Sequence, residues 1–157
     1  MEITKALYEL KKIESKAQEL YAHYHNIFRD DKEAAGFFLE ISDEEKSHAN
    51  IIEYQIRLIR ANSKLFCDVE FDVKPVNELI DKMNVQIRST QPVSLESAVG
   101  FSMSMESDAV ECLYRTLMGK SNPEVAELIS KLGIEDKAHL DKLKAFAKNR
   151  GYSISKQ

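Results

Sequence analysis

Glu44-Glu45-Lys46-Ser47-His48, in the first half of the chain, recurs in the second half as Glu135-Asp136-Lys137-Ala138-His139. In each stretch an acid and a histidine stand three residues apart, a spacing that puts both on one face of a helix. Each also has an acidic companion upstream. Glu14 precedes Glu45 by 31 positions, and Glu106 precedes Asp136 by 30. A unit of the form acid, then acid-x-x-His, is therefore present twice and nearly in register.

The surroundings of these acids matter more than their spacing. Leu7, Leu10, Glu14, Ala17, Tyr21, Tyr24 and Phe28 recur at three- and four-residue intervals. So do Phe38, Ile41, Glu45, His48, Ile52, Gln55 and Ile59. A third series is Leu95, Val99, Ser102, Glu106, Ala109 and Leu113, and a fourth is Val125, Leu128, Leu132, Asp136, His139, Leu143 and Phe146. Each series is the apolar stripe of an amphipathic helix, with its acid near mid-length on the core-facing side. A carboxylate buried alone costs several kcal/mol or more, roughly, unless it is paired or binds metal. Four acids and two imidazoles at matching depths call for a shared cation. Facing helices that each supply an inward acid, two of them with an i+3 histidine, are how a helix bundle builds a dinuclear carboxylate site. The expected metal ligands are Glu14, Glu45, His48, Glu106, Asp136 and His139. The competing reading is a metal-free polar network in the core.

Composition sets wider bounds. The chain has 157 residues, expected to form one domain spanning 1–157, and the 43% hydrophobic and 31% charged shares suit a soluble helical protein. A formal net charge of −4 argues against a nucleic-acid or anionic-membrane partner. No apolar run is long enough to span a bilayer. Met1 to Lys5 lacks the apolar core of a signal peptide, and two sparse cysteines, Cys67 and Cys112, fit a reducing cytoplasm with no disulfide and no Cys-x-x-Cys knuckle. Cytoplasmic localisation is expected.

Along the chain, the pattern predicts a first hairpin over 4–61, a crossover over 63–94 and a second hairpin over 95–149. Thr4 is the expected cap of the first helix, and Arg29 to Lys32 the turn to the second. Ser42-Asp43-Glu44-Glu45 looks like a capping box, but the apolar period runs through it, so it reads as helix interior. The crossover holds Pro75, Pro92, a β-like run over 66–73, and a short helix from Pro75 to Arg88 with Val76, Leu79, Ile80, Met83 and Ile87 on one face. Ser94 caps the third bundle helix. Gly119 to Pro123 is a stop and turn, and Gly151 ends the last helix. His23 and His25 read as surface residues. Tyr21, Tyr24 and Tyr114 read as core aromatics, Tyr21 equally as a hydrogen-bond partner of a ligand carboxylate. Asp43, Glu44, Glu135 and the tyrosines are candidates to orient the imidazoles.

With these residues in hand, the chain resembles the ferritin-like superfamily, and within it the rubrerythrin-type diiron domain. Glu14 to Tyr21 is similar to the family's first-helix motif. Phe38 to Ala49 is similar to the second, Met105 to Tyr114 to the third and Glu135 to Leu140 to the fourth. The resemblance covers residues 4 to 148 apart from the crossover. It implies an all-α, ferritin-like four-helix bundle made of two helical hairpins joined by a long crossover. It also implies two iron ions, replaceable by manganese or zinc on purification, and redox activity towards peroxide or dioxygen, as a peroxide reductase or ferroxidase. No catalytic residue beyond the ligands is assigned. The alternative is a ferritin-like bundle that binds or stores iron, or serves as a scaffold, without turnover.

Three departures accompany the resemblance. Asp136 stands where the family has a bridging Glu, and one missing methylene shortens its reach by about 1.5 Å. Ala109 stands where rubrerythrins carry an extra Glu, one turn after the third-helix ligand. No rubredoxin-like segment is recognisable, so a separate electron-donor protein is the expected partner, together with a second copy of the chain as a homodimer.

Overall fold

The computed structural model describes residues 1–62, 64, 68–117 and 123–153, without the side chains of 110–117, 124–125 and 128–136. Five helices account for nearly all of it: α1 Ile3–Ile27, α2 Lys32–Ala61, α3 Val73–Arg88, α4 Leu95–Leu117 and α5 Pro123–Asn149. Among the described residues there is no strand. The β-like run is represented by a lone antiparallel bridge between Glu2 and Asp68.

Local chemistry fixes most helix ends. Asp31 caps α2, its carboxylate accepting from the Ala34 N–H at 3.0 Å. Asp72 does the same for α3 through the Lys74 N–H at 2.9 Å, and Ser94 for α4 through the Ser97 N–H at 3.1 Å. Gly151, at φ +69, takes the left-handed conformation that closes α5. The start of α1 differs from expectation. Glu2, not Thr4, is the N-cap, and the Thr4 hydroxyl donates to the Glu2 carboxylate from inside the helix. The reason is a long-range tie. The Met1 amine donates to Val69 O at 2.9 Å and the Val69 N–H to Met1 O at 2.7 Å. This pairing pins the chain in extended form through Glu2, and the helix begins directly after it.

The stripes of the first two bundle helices are buried along their length, as are the described members Val99, Ser102, Glu106 and Ala109 of the third and His139, Leu143 and Phe146 of the fourth; Leu113, Val125, Leu128, Leu132 and Asp136 have side chains outside the described residues. α1 packs along α2 as one hairpin and α4 along α5 as the other, while α3 lies on α1 and reaches α4. On α1 the face Leu7, Leu10, Glu14, Ala17, Tyr21 and Tyr24 is buried, with Phe28 partly so. On α2 every stripe residue from Phe38 to Ile59 is buried. Val76, Leu79 and Met83 anchor α3, with Ile80 and Ile87 at the edge. Ser42 sits inside α2 and donates to Gln18 O at 3.0 Å, so its hydroxyl is satisfied by the neighbouring helix and does not break its own. Where the two hairpins face one another, α1 to α4 and α2 to α5, the described backbones approach only sparsely. The space between them is filled by side chains, among them the acids and imidazoles. At the end of the bundle Arg150 grips Asp31 with two hydrogen bonds of 2.8 Å, tying the end of α5 to the start of α2.

Candidate metal centre

Helix geometry delivers one or two polar groups from each bundle helix to a common depth. Glu14 comes from α1, Glu45 and His48 from α2, Glu106 from α4 and His139 from α5. All five are at most 4% exposed. Asp136 lies on α5 one turn before His139, but its side chain falls outside the described residues, as do the side chains of Cys112 and Tyr114 and all of Cys67.

Glu45 is the hub. Its Oε2 lies 3.3 Å from His48 Nδ1, and its Oε1 lies 3.1 Å from His139 Nδ1. His48 Nδ1 is also 3.3 Å from Glu14 Oε2, and His139 Nδ1 is 3.9 Å from Glu106 Oε1. The two imidazoles stack at 5.2 Å with their planes 17° apart. Both therefore turn the same nitrogen, Nδ1, towards the carboxylates. Glu45, His48 and His139 each offer a ligand atom within 4.8 Å of the others.

The electrostatics follow from this packing. Burial works against ionising Glu45, but hydrogen bonding to His139 and His48 overcomes it and holds the carboxyl at about 2. Burial likewise disfavours charge on His48, yet the Glu14 and Glu45 carboxylates raise it to about 11. His139 is raised in the same sense, against its own burial, mainly by Glu45. The Glu45 carboxylate is thus held in its charged form, and the same pairing favours the charged form of His48 and, in the same direction, of His139. A divalent cation placed among the same oxygen and nitrogen donors would balance that carboxylate charge more fully. Carboxylates and imidazoles suit non-haem iron, manganese and zinc. The donor set fits a metal.

A second layer holds the cluster. The Tyr21 hydroxyl donates to Glu106 Oε1. Burial first, then the nearby Glu106 and Glu45 charges, push the phenol well above its usual range, so it remains a donor. Among the candidates to orient the imidazoles, Glu44 has its Oε2 2.9 Å from His139 Nε2, while the side chain of Glu135, like that of Tyr114, lies outside the described residues. Sequence reading missed Lys142, which reaches from α5 to Glu44 at 2.6 Å and Glu40 at 2.8 Å on α2. A signal for it existed. Lys142 is one turn beyond His139, and Glu40 and Glu44 are one turn apart beside the ligand row. His23 and His25 take no part in the cluster, but neither is fully exposed. The His25 ring lies 2.8 Å from Ala35 O, bracing the α1–α2 turn.

Among the described residues no helix is long and apolar enough to cross a membrane. The rubrerythrin family model matches residues 7–147. No curated protein matches the chain, and no solved structure does. The matched span includes all six expected ligands, and with that match the chain belongs to the rubrerythrin family.

Proposed function

We propose that the protein is a non-haem diiron-carboxylate oxidoreductase that reduces peroxide or dioxygen. Glu14, Glu45, His48, Glu106, Asp136 and His139 would hold the ions. The observation that carries the proposal is the convergence of five buried ligand groups from four helices, with Glu45 between the two imidazoles. Iron held there would supply electrons to the oxidant, to be restored by a separate donor protein. The chain's own part is to orient and insulate. Glu44 faces His139 Nε2, leaving Nδ1 towards the carboxylates. Tyr21 holds Glu106 by a buried hydrogen bond, and Phe38 stacks on Tyr21.

One observation favours a second reading, metal binding without turnover. Ala109, buried one turn after Glu106 on α4, leaves no carboxylate at the position where rubrerythrins carry their extra Glu. The experiment that separates the two is anaerobic loading with Fe(II) followed by one equivalent of hydrogen peroxide or O2. Oxidation of the bound iron within seconds, absent from the Glu45→Ala, His48→Ala double variant, supports the enzyme. Iron that stays bound and ferrous supports the binding protein.

A further inference from the structure

A cavity of about 290 Å³ lies between α2 and α5, against the two histidines. It is lined by Lys142, Glu44, Ser47, Ile51 and Ala138, together with His48 and His139. Ser47 and Ala138 are exposed and Glu44, Ile51 and Lys142 half-buried, so the cavity opens to solvent on that side and ends on the buried histidines. The side chains of Lys142 and Glu44 are 36% and 35% exposed, whereas those of the histidines are at most 5%. Tyr21, which donates to Glu106 of the cluster, and Phe38, stacked on Tyr21, are fully buried.

Lys142 spans the mouth. Its ammonium leaves α5 and lies on Glu40 Oε1 and Glu44 Oε1 of α2. Two carboxylates against one ammonium leave the mouth with a net negative charge. Glu44 is placed at two depths at once: Oε1 is on Lys142, and Oε2 is 2.9 Å from His139 Nε2. The cavity is also roomy. One water takes roughly 30 Å³ of liquid, so an ion can enter with part of its hydration.

On the reading that the buried cluster holds metal, we propose that this cavity is the route by which divalent cations reach and leave it, with Lys142 as a strap across the mouth and Glu44 as the carboxylate that passes the ion inward. A hydrated cation must shed water in steps, each lost water being replaced by a protein oxygen or nitrogen. Glu44 offers an oxygen near the surface and another beside the histidine, and the net negative mouth attracts a cation where it would be indifferent to neutral peroxide or O2. The strap also accounts for the ammonium standing at the entrance of a cationic route. It must swing away to admit an ion, which slows loading and loss alike.

The test measures rates beside equilibrium affinity. Co(II) uptake by the metal-free full chain is followed by stopped flow, and release by transfer to excess EDTA, in the wild type, Lys142→Met and Lys142→Arg. Lys142→Met should speed uptake and release together, each by roughly tenfold. Lys142→Arg keeps the charge and the span, and should stay within about twofold of wild type for the same electrostatic reason. Raising the salt concentration should slow uptake by the wild type, because screening weakens the attraction of the mouth. Unchanged rates in a folded Lys142→Met variant overturn the route while leaving the metal centre intact. Wild-type uptake insensitive to salt overturns it as well, even where Lys142→Met fails to fold. A wild type that binds no Co(II) at equilibrium overturns the metal reading, and this route with it.

Discussion

Tyr21 on α1 donates its hydroxyl to Glu106 Oε1 on α4, joining the two hairpins through a buried hydrogen bond beside the imidazoles. The two residues are 85 positions apart. Few backbone contacts link these helices, so this bond fixes where Glu106 points. Tyr21→Phe keeps the ring but leaves a buried carboxylate short of a donor. Hydrogen bonds to charged groups contribute about 1.5–3 kcal/mol, and a loss of that size is expected in urea unfolding of the metal-free protein. A change below about 0.5 kcal/mol would mean that Glu106 finds another donor without cost.

The protonated cluster makes metal-free stability depend on pH. His48 rises from an ordinary value of 6.5 to about 11 on folding. Its contribution is fully present below 6.5 and is lost as pH climbs through 11. Glu45 falls from 4.5 to about 2, so its contribution is present above 4.5 and lost as pH drops through 2. The metal-free protein should therefore be most stable between these limits, with Tm declining steadily from pH 6.5 to pH 10. Metal must displace the imidazole protons, so affinity should rise with pH over the same range, with roughly one to two protons released per chain on binding in weak buffer. A Tm that climbs from pH 6.5 to 10 would contradict the charged cluster.

Asp31 serves two structures at once, capping α2 and receiving Arg150. Asp31→Asn keeps a capping oxygen but loses the charge, whereas Asp31→Ala loses both. The cap is worth about 1 kcal/mol, so Asp31→Ala should be less stable than Asp31→Asn by about that amount in urea denaturation. Equal stabilities would assign the whole effect to the ion pair.

Asp136 is the departure with the most direct consequence. On the proposed assignment of Asp136 as a ligand, its arm, one methylene shorter than that of Glu, would bring its charge close to one ion only, so the second ion should bind more weakly than the first. Asp136→Glu should raise second-ion occupancy and speed the reaction with peroxide or O2. Stepwise affinities in the two proteins measure this. Equal, tight affinities in the wild type, unchanged by the substitution, would show that the shorter arm has no effect on the site.

Much of this was legible in the sequence, for a physical reason. Burying Glu14, Glu45 and Glu106 on apolar stripes is too costly to occur without a common partner, so periodicity and chemistry pointed to one place. Val76, Leu79 and Met83 likewise announced α3 inside an otherwise irregular crossover. What was not legible depends on how separate segments meet. The start of α1 is set by Val69, far along the chain, and local capping rules favoured Thr4 over Glu2. The choice of Glu44 over its neighbour Asp43 as the partner of His139 depends on the rotation of α2 against α5. Lys142 has the pattern of an ordinary surface lysine until α2 is placed opposite it. His25 read as surface because its ring lies off the stripe, yet the turn between α1 and α2 brings Ala35 O against it.

The most direct measurement is the number of metal ions held per chain. Metal-free protein titrated anaerobically with Fe(II), with bound iron counted after gel filtration, should hold two ions per chain, as a dinuclear site requires. The Glu45→Ala, His48→Ala double variant should hold none while its far-UV circular dichroism remains helical. Two ions retained in that variant, or none held by the wild type, would contradict a dinuclear centre built on Glu45 and His48.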